Sequence, residues 1–359
     1  MIALFLAASG GLLFTVFTTP FLIQWLRKNS VGQQIRDDGP VAHPHVNKVG
    51  TPTMGGIAMV AGVVIGYAFA HIRQGDFKFS RSGLLLIGLV LGCMAIGFLD
   101  DYLGIKNSRN LGLRKRGKLF GQLGVALVYA FLSVHWADTS THLSFTRELD
   151  FDLGTWGWIA MAVAIIMATT NAANLTDGLD GLLSGTSILV FGVYAIIAFW
   201  LFRHFGEFVS PTGTSVYPYT VEPAHALDLS AIAAAFVGSC TGFLWWNAAP
   251  ARIFMGDTGS MAIGGGMAGL ALMTNTQLLL PIIAGLCLVE TLSVIAQAIS
   301  FRGFGKRILR MSPIHHHFEL SGWPETTVTV RFWIFAGMCS ALGLGLFYAD
   351  FLSIPSVTN

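Results

Sequence analysis

Apolar residues in this chain fall in long runs free of Asp, Glu, Lys and Arg: Met1 to Leu26, Val49 to Ile72, Ser82 to Leu99, Leu119 to Ala137 and Leu153 to Thr176. The pattern continues with Gly181 to Phe202, Leu229 to Ala251, Thr258 to Phe301 interrupted only by Glu290, and Phe332 to Ala349. Crossing a bilayer core takes about 20 helical residues, so each run predicts a transmembrane helix. The Thr258 run is long enough for two, and the polar turn Asn275, Thr276 and Gln277 before Pro281 is the natural division, because proline is tolerated near a helix start. The expected fold is therefore all-α, a polytopic membrane protein with about ten helices forming a single domain over residues 1–359.

Composition agrees. Of the 359 residues 53% are hydrophobic and only 11% charged, with a mean hydropathy of +0.65. Soluble domains carry about 25% charged residues, so a soluble enzyme is excluded. A formal charge of +2 gives no global field that would suggest a nucleic-acid partner. The distribution of charge says more than its sum. The first run lacks a positive leader, and Arg27 and Lys28 follow it directly, so the first helix is expected to be retained with its amino end outside. Ten spans then put sixteen of the 21 Lys and Arg on one side, in the loops Arg27 to Lys48, Asp100 to Lys118, Asn174 to Asp180, Arg252 to Asp257 and Arg302 to Arg331. The positive-inside rule makes that side cytoplasmic and leaves both termini outside. Cys93, Cys240, Cys287 and Cys339 sit singly inside apolar runs and read as small buried hydrophobes, and the Arg203 to Asp228 segment reads as an irregular outer loop.

The unusual polar residues collect at the cytoplasmic helix ends. Asp100 and Asp101 close the third span, where a helix C-terminus disfavours negative charge. The string NAANLTDGLDGL joins the fifth and sixth spans, and its Asn174, Asp177 and Asp180, spaced by three, read as neighbours on one helical face. Asn247 lies near the end of the seventh span, and Asp257 just before the eighth, where it is either an N-cap or a ligand. At an effective dielectric of 20, two carboxylates about 5 Å apart repel by roughly 3 kcal/mol, so convergence of these acids demands cations or protons. Oxygen donors without thiolates favour Mg²⁺ or Mn²⁺ over zinc.

His315, His316 and His317 are consecutive, and adjacent helical positions point about 100° apart, so donation to an anionic substrate fits them better than shared metal ligation. Acids, a hard cation, histidines and a basic surface together suggest phosphate chemistry on a lipid-borne substrate. The chain has no phosphate-loop motif to support an ATP-driven pump. A secondary transporter should place ionisable groups at mid-membrane, and only Glu290 does so; with Thr291, Ser293 and Gln297 as hydrogen-bonding neighbours it reads as structural.

Five strings, GTPTMGG at Gly50 to Gly56, FLDD at Phe98 to Asp101, NLTDGLDGL at Asn174 to Leu182, FMGDTGS at Phe254 to Ser260 and PIHHHFE at Pro313 to Glu319, resemble those of the polyprenyl-phosphate N-acetylhexosamine-1-phosphate transferases. The histidine triplet with GTPTMGG favours the member that takes a UDP-MurNAc-pentapeptide donor over relatives using N-acetylglucosamine. The resemblance implies ten helices, a homodimer in the bacterial inner membrane, Mg²⁺ dependence, and transfer of phospho-MurNAc-pentapeptide to undecaprenyl phosphate with release of UMP. By position it makes Asp257 the metal ligand and puts Asp100, Asp101, His315 and His316 with it in the catalytic set. Lys48, Lys118, Asn174, Asp177, Asp180, Asn247, Phe254 and His317 would bind substrate, with Phe254 stacked on uracil.

Overall fold

The computed structural model describes residues 1–29, 50–72, 78–106, 112–206, 208–209, 215–216 and 219–354; Lys48 lies outside them. In chain order the elements are α1 (Ile2–Lys28), α2 (Gly56–Ile72), α3 (Arg81–Lys106), α4 (Lys115–His135), an antiparallel pair β1 (His142–Ser144) and β2 (Glu148–Asp152), α5 (Gly154–Thr176) and α6 (Leu182–Arg203). A second antiparallel pair follows, β3 (Phe208–Val209) and β4 (Ser215–Val216), then α7 (Pro223–Asn247), α8 (Gly256–Met273), a single turn α9 (Leu280–Ile283), α10 (Gly285–Phe304), the short α11 (Ile314–Glu319) and α12 (Glu325–Leu352). Among the described residues eight helices, α1, α3 to α7, α10 and α12, are long and apolar enough to cross a membrane. The chain is a multi-pass membrane protein. The two remaining expected spans are the 17-residue apolar α2 and the 18-residue α8.

α8 is less apolar because it never meets lipid. Every residue from Thr258 to Met273 is buried, and α2, α3, α5 and α6 pack around it. In lipid there is little hydrophobic drive for helices to associate, so close backbone packing through small residues must supply it. Gly56 at the start of α2 lies against the backbone of Gly259 on α8, where any Cβ would collide. The outer faces do the reverse: Phe5, Phe17, Phe21 and Trp25 of α1 are exposed, as a lipid-facing surface requires.

Several element boundaries differ from the runs. α7 starts at Pro223 and takes up the end of the segment expected to be an irregular outer loop. Asp228 stands just before the apolar run yet lies within the helix, because its buried carboxylate accepts hydrogen bonds from Tyr67 Oη (2.8 Å), Ser80 N (2.8 Å) and Ser80 Oγ (2.7 Å). α3 likewise continues past Asp100 and Asp101 to Lys106. The division at Asn275 to Gln277 holds, with Pro281 inside α9.

The glycine contact predicts that Gly56→Ala lowers detergent-phase stability by about 1–3 kcal/mol through overpacking. Gly88→Ala on the exposed face of α3, where a Cβ meets nothing within 4 Å, should leave it unchanged or slightly raised. Thermal unfolding of both variants checks this.

Candidate active site

The site begins with the first turn of α8, whose free N–H groups need acceptors. No side chain of its own segment caps it; Asp101 of α3 does so from outside. Asp101 Oδ1 accepts from Asp257 N (3.1 Å), and Oδ2 accepts from Thr258 N (2.9 Å) and Thr258 Oγ1 (2.6 Å). Gly256, at φ +73°, turns the chain into this arrangement, and a Cβ there would run into Asp101 and Thr53. Asp257 is thereby released from capping. Its Oδ1 accepts from Asn174 Nδ2 of α5 (2.5 Å), and its Oδ2 is in contact with Lys118 Nζ of α4. Asn174 Nδ2 also donates to Ser260 Oγ (3.0 Å). Lys118 Nζ stands 3.7 Å from Asp100 Oδ2, whose other oxygen accepts from Leu113 N (2.9 Å). Four helices, α3, α4, α5 and α8, thus meet around one lysine.

Asp177, just past the end of α5, joins this group without a donor of its own: among the described residues nothing hydrogen-bonds its carboxylate. Burial, followed by the charges of Asp257, Asp101 and Asp180, pushes its pKa up to about 8. The expectation that Asn174, Asp177 and Asp180 share a helical face is not met, because α5 stops at Thr176. Asp180 sits in the following turn, its Oδ2 accepting from Ala251 N (2.9 Å) and its own N–H donating to Glu325 Oε1 (2.9 Å). Asn247 is also a fastening point. Its Oδ1 accepts from Ser184 Oγ (2.8 Å) and its Nδ2 donates to Ile253 O (3.0 Å), which fixes the loop before Phe254.

Phe254 is half-buried and its backbone pairs with the GTPTMGG string: Phe254 N donates to Pro52 O (2.8 Å) and Gly55 N to Phe254 O (2.9 Å). The three histidines lie on α11 and diverge. His315, fully buried, has Nδ1 3.1 Å from Glu290 Oε2; His316 Nδ1 is 2.8 Å from Glu319 Oε2; His317 Nδ1 accepts from Arg310 N (3.1 Å). His315 packs its Nε2 edge against Gly178, beside Asp177, leaving no room for a Cβ. Among the described residues no three His, Cys, Asp or Glu groups form a complete metal cage. Several of the basic residues brace the surface: Arg252 lies over Trp246, Arg331 over Trp323 and Arg307 over Phe301.

Ser260, Ser184 and Glu325 were missed in the sequence. Ser260 was findable, one helical turn beyond Asp257; Ser184 and Glu325 carry no local signal, since their partners are 63 and 145 residues away. Thr291, Ser293 and Gln297 do not partner the Glu290 carboxylate as expected: Thr291 bonds Cys287 O, and the other two bond backbone groups.

Residues 83–275 match the model of glycosyl transferase family 4. The chain is 47% identical over 354 residues to the phospho-N-acetylmuramoyl-pentapeptide-transferase of Frankia alni, covering 97% of this chain and 98% of that one. It is 45% identical over 361 residues to the protein of that name from Saccharopolyspora erythraea, with 99% of each covered, and 47% over 352 residues to that from Streptomyces coelicolor, covering 94% and 96%. The chain belongs to the phospho-N-acetylmuramoyl-pentapeptide-transferase family. The likeness to these family members runs nearly end to end, so it includes α11 and α12, which lie beyond the segment matched by the family 4 model.

Two outcomes follow for this family member. In Asp101→Asn one oxygen becomes an NH₂ facing N–H donors, so stability should fall by about 1–2 kcal/mol, whereas Asp100→Asn should unfold as the parent does; thermal melts decide. Asp177 with a raised pKa keeps a proton in the folded state that the unfolded chain releases above about pH 4. The parent's stability in chelator should therefore decline as pH rises from about 4 to about 8. Asp177→Asn should make that decline shallower and gain most over the parent near pH 8.5, measured by melts across the range.

Proposed function

We propose that this chain transfers phospho-MurNAc-pentapeptide from UDP-MurNAc-pentapeptide to undecaprenyl phosphate, releasing UMP and forming the first lipid-linked precursor of peptidoglycan. The observation that supports it most is the meeting of Asp257, Asn174, Lys118 and Asp100 at one end of the bundle, where a membrane-borne and a water-soluble substrate can both arrive. The full-length likeness to the family supports the choice of donor.

A divalent cation fits this donor set. Among the described residues Asp100, Asp101, Asp177 and Asp257 share their surroundings with one cation, Lys118, the candidate ligand atoms are oxygens, and Asp177 is left without a hydrogen bond. Mg²⁺ ordinarily uses one or two carboxylates and completes its shell with water and phosphate, so Asp257 would hold it, with no need for a complete protein cage. Bound there, it would supply Lewis-acid stabilisation of negative charge on the diphosphate oxygens.

The chain's own residues have separate tasks. Lys118, on the Asp100–Asp257 axis, neutralises charge on the transferred phosphoryl group. Asn174 fixes the Asp257 carboxylate, and Asp101 fixes the helix that carries it. Asp100 orients Lys118, whose ammonium meets the incoming lipid phosphate; Asp100 need not remove a proton, since a phosphate monoester with a second pKa near 6 is already largely dianionic at neutral pH. A lipid phosphate oxygen forms a bond to the sugar-proximal phosphorus as the bond to the bridging oxygen breaks, and UMP leaves with that electron pair. One diphosphate linkage replaces another, so the step runs near equilibrium without an energy source, and catalysis consists of positioning and charge neutralisation. His315 and His316 join the catalytic set, and His317, Phe254 and Lys48 bind the donor.

The same reading puts the protein in the bacterial inner membrane as a homodimer, with the site toward the cytoplasm, where sixteen of the 21 Lys and Arg gather. A Lys115→Cys variant should then react with an impermeant maleimide only after permeabilisation, and Asp150→Cys in intact spheroplasts. The reverse pattern overturns the placement. The activity is tested with purified protein, polyprenyl phosphate and either UDP-MurNAc-pentapeptide or UDP-N-acetylglucosamine. Lipid product and UMP are expected from the first donor alone. Asp257→Asn, which would cap a helix as well as Asp, should lower turnover by two or more orders of magnitude. Equal product from the N-acetylglucosamine donor, or a fully active Asn variant, overturns the assignment concerned.

A further inference from the structure

Lysine carries its charge on a flexible four-carbon stem, so where the Lys118 ammonium stands depends on how the helix beneath it is held. That helix, α4, has little to hold it. Its buried stripe is Gln122, Ala126, Tyr129, Ala130 and Ser133, narrow and mostly small, while Phe120, Leu127, Val128 and Phe131 face outward. Apolar contacts are non-directional and leave the rotation of such a helix weakly fixed.

Gln122 is buried one helical turn along from Lys118, on the same face. Among the described residues it is the one side chain of α4 that hydrogen-bonds α5, and it uses both ends of its amide to do so. Thr170 Oγ1 gives its own proton to Ile166 O (2.8 Å) and accepts from Gln122 Nε2 (3.5 Å). Asn171 Nδ2 has one hydrogen for Met167 O (2.7 Å) and the other for Gln122 Oε1 (3.3 Å). At this level α5 is fixed to α8, because the Thr170 backbone lies so close to Gly264 that a Cβ there would collide. One turn further along α5, Asn174 holds Asp257 of α8. The three helices therefore meet in two rungs: Gln122 with Thr170 and Asn171, then Lys118 with Asp257 and Asn174.

We propose that Gln122 is a positioning residue for the transfer: it sets the height and rotation of α4 against the α5–α8 frame, and so delivers the Lys118 ammonium between Asp100 and Asp257. A methionine would fill the same space, and hydrogen bonds between membrane helices add direction more than stability. A single buried amide is an established device for fixing the register of packed helices. The role in turnover rests on the proposed transfer; the placement of Lys118 rests on the geometry alone.

The test replaces Gln122 by Met in full-length protein and follows Lys118 without substrate and in chelator. The readout is acylation by an N-hydroxysuccinimide ester, quantified by peptide mass spectrometry against the exposed Lys115 of the same helix. An ammonium paired with carboxylates resists acylation, so Gln122→Met should speed the reaction at Lys118 by about threefold or more and leave Lys115 unchanged. Its melting temperature should equal or slightly exceed the parent's. Turnover should fall about fivefold or more with donor KM within about threefold, because the loss is in charge neutralisation during transfer. Asn171→Leu should change Lys118 and turnover in the same direction, and the double variant should lose no more than Gln122→Met alone. Tyr129→Phe, which removes the contact of Tyr129 Oη with Gly269 O (3.4 Å) further along the same stripe, should match the parent in both readouts. Unchanged acylation of Lys118 in Gln122→Met, an equal rise at Lys115, or losses that multiply in the double variant overturn the inference. Asn171→Leu, at an exposed position, carries the same test if Gln122→Met fails to fold. A parent that forms no product with either donor fails the functional reading instead, and the Lys118 result still stands.

Discussion

The site depends on one carboxylate placed against one helix start. Asp101 of α3 takes the first free N–H groups of α8, and the Thr258 hydroxyl with them. A buried helix beginning without such an acceptor would leave donors unsatisfied, at about 1–3 kcal/mol each. Because Asp101 supplies it, Asp257 need not. The side chain at the second helical position turns away from its own backbone toward Lys118 and Asn174, and α3, α4, α5 and α8 are drawn to one point. The helix N-terminus also favours the negative charge there, which offsets part of the crowding of acids.

Crowding is the second constraint. Asp177 has no hydrogen-bond donor among the described residues, and burial first, then the neighbouring carboxylates, pushes its pKa up to about 8. Packing enforces this closeness. α8 is buried along its length and meets α2 backbone to backbone through Gly56 and Gly259, so the cluster cannot relax by spreading. Electrostatic strain of this kind is relieved by a positive charge arriving from outside, which connects the architecture to diphosphate chemistry.

Much of this was legible in the chain. Apolar runs gave the helices, because crossing lipid imposes a length and forbids unpaired charge. They misjudged boundaries wherever a charge is buried and bonded: Asp228 lies inside α7 and Asp101 inside α3. Motif strings gathered the acids, but they could not apportion them. Asp101, Asp180 and Asn247 spend their side chains on backbone groups, and whether a polar side chain serves backbone or substrate is settled by partners distant in sequence. The histidine triplet could not be apportioned from its spacing either: on α11 His315 meets Glu290, His316 meets Glu319 and His317 accepts from the Arg310 N–H. The group that Glu290 meets, His315, lies 25 positions further along, beyond any local pattern. Lys48 lies outside the described residues.

The central claim is that this acidic cluster, held together by Asp101 and α8, is completed by a divalent cation at Asp257. The most direct measurement is a Mg²⁺ titration of substrate-free, detergent-solubilised protein followed by thermal unfolding, with Asp257→Asn alongside. Ligand binding to the folded state alone raises stability by RT ln(1 + [L]/Kd), so the parent's melting temperature should climb with Mg²⁺ from the concentration at which the site fills, and that of the Asn variant should stay nearly flat. A parent insensitive to millimolar Mg²⁺, or an Asn variant that responds equally, would contradict the account.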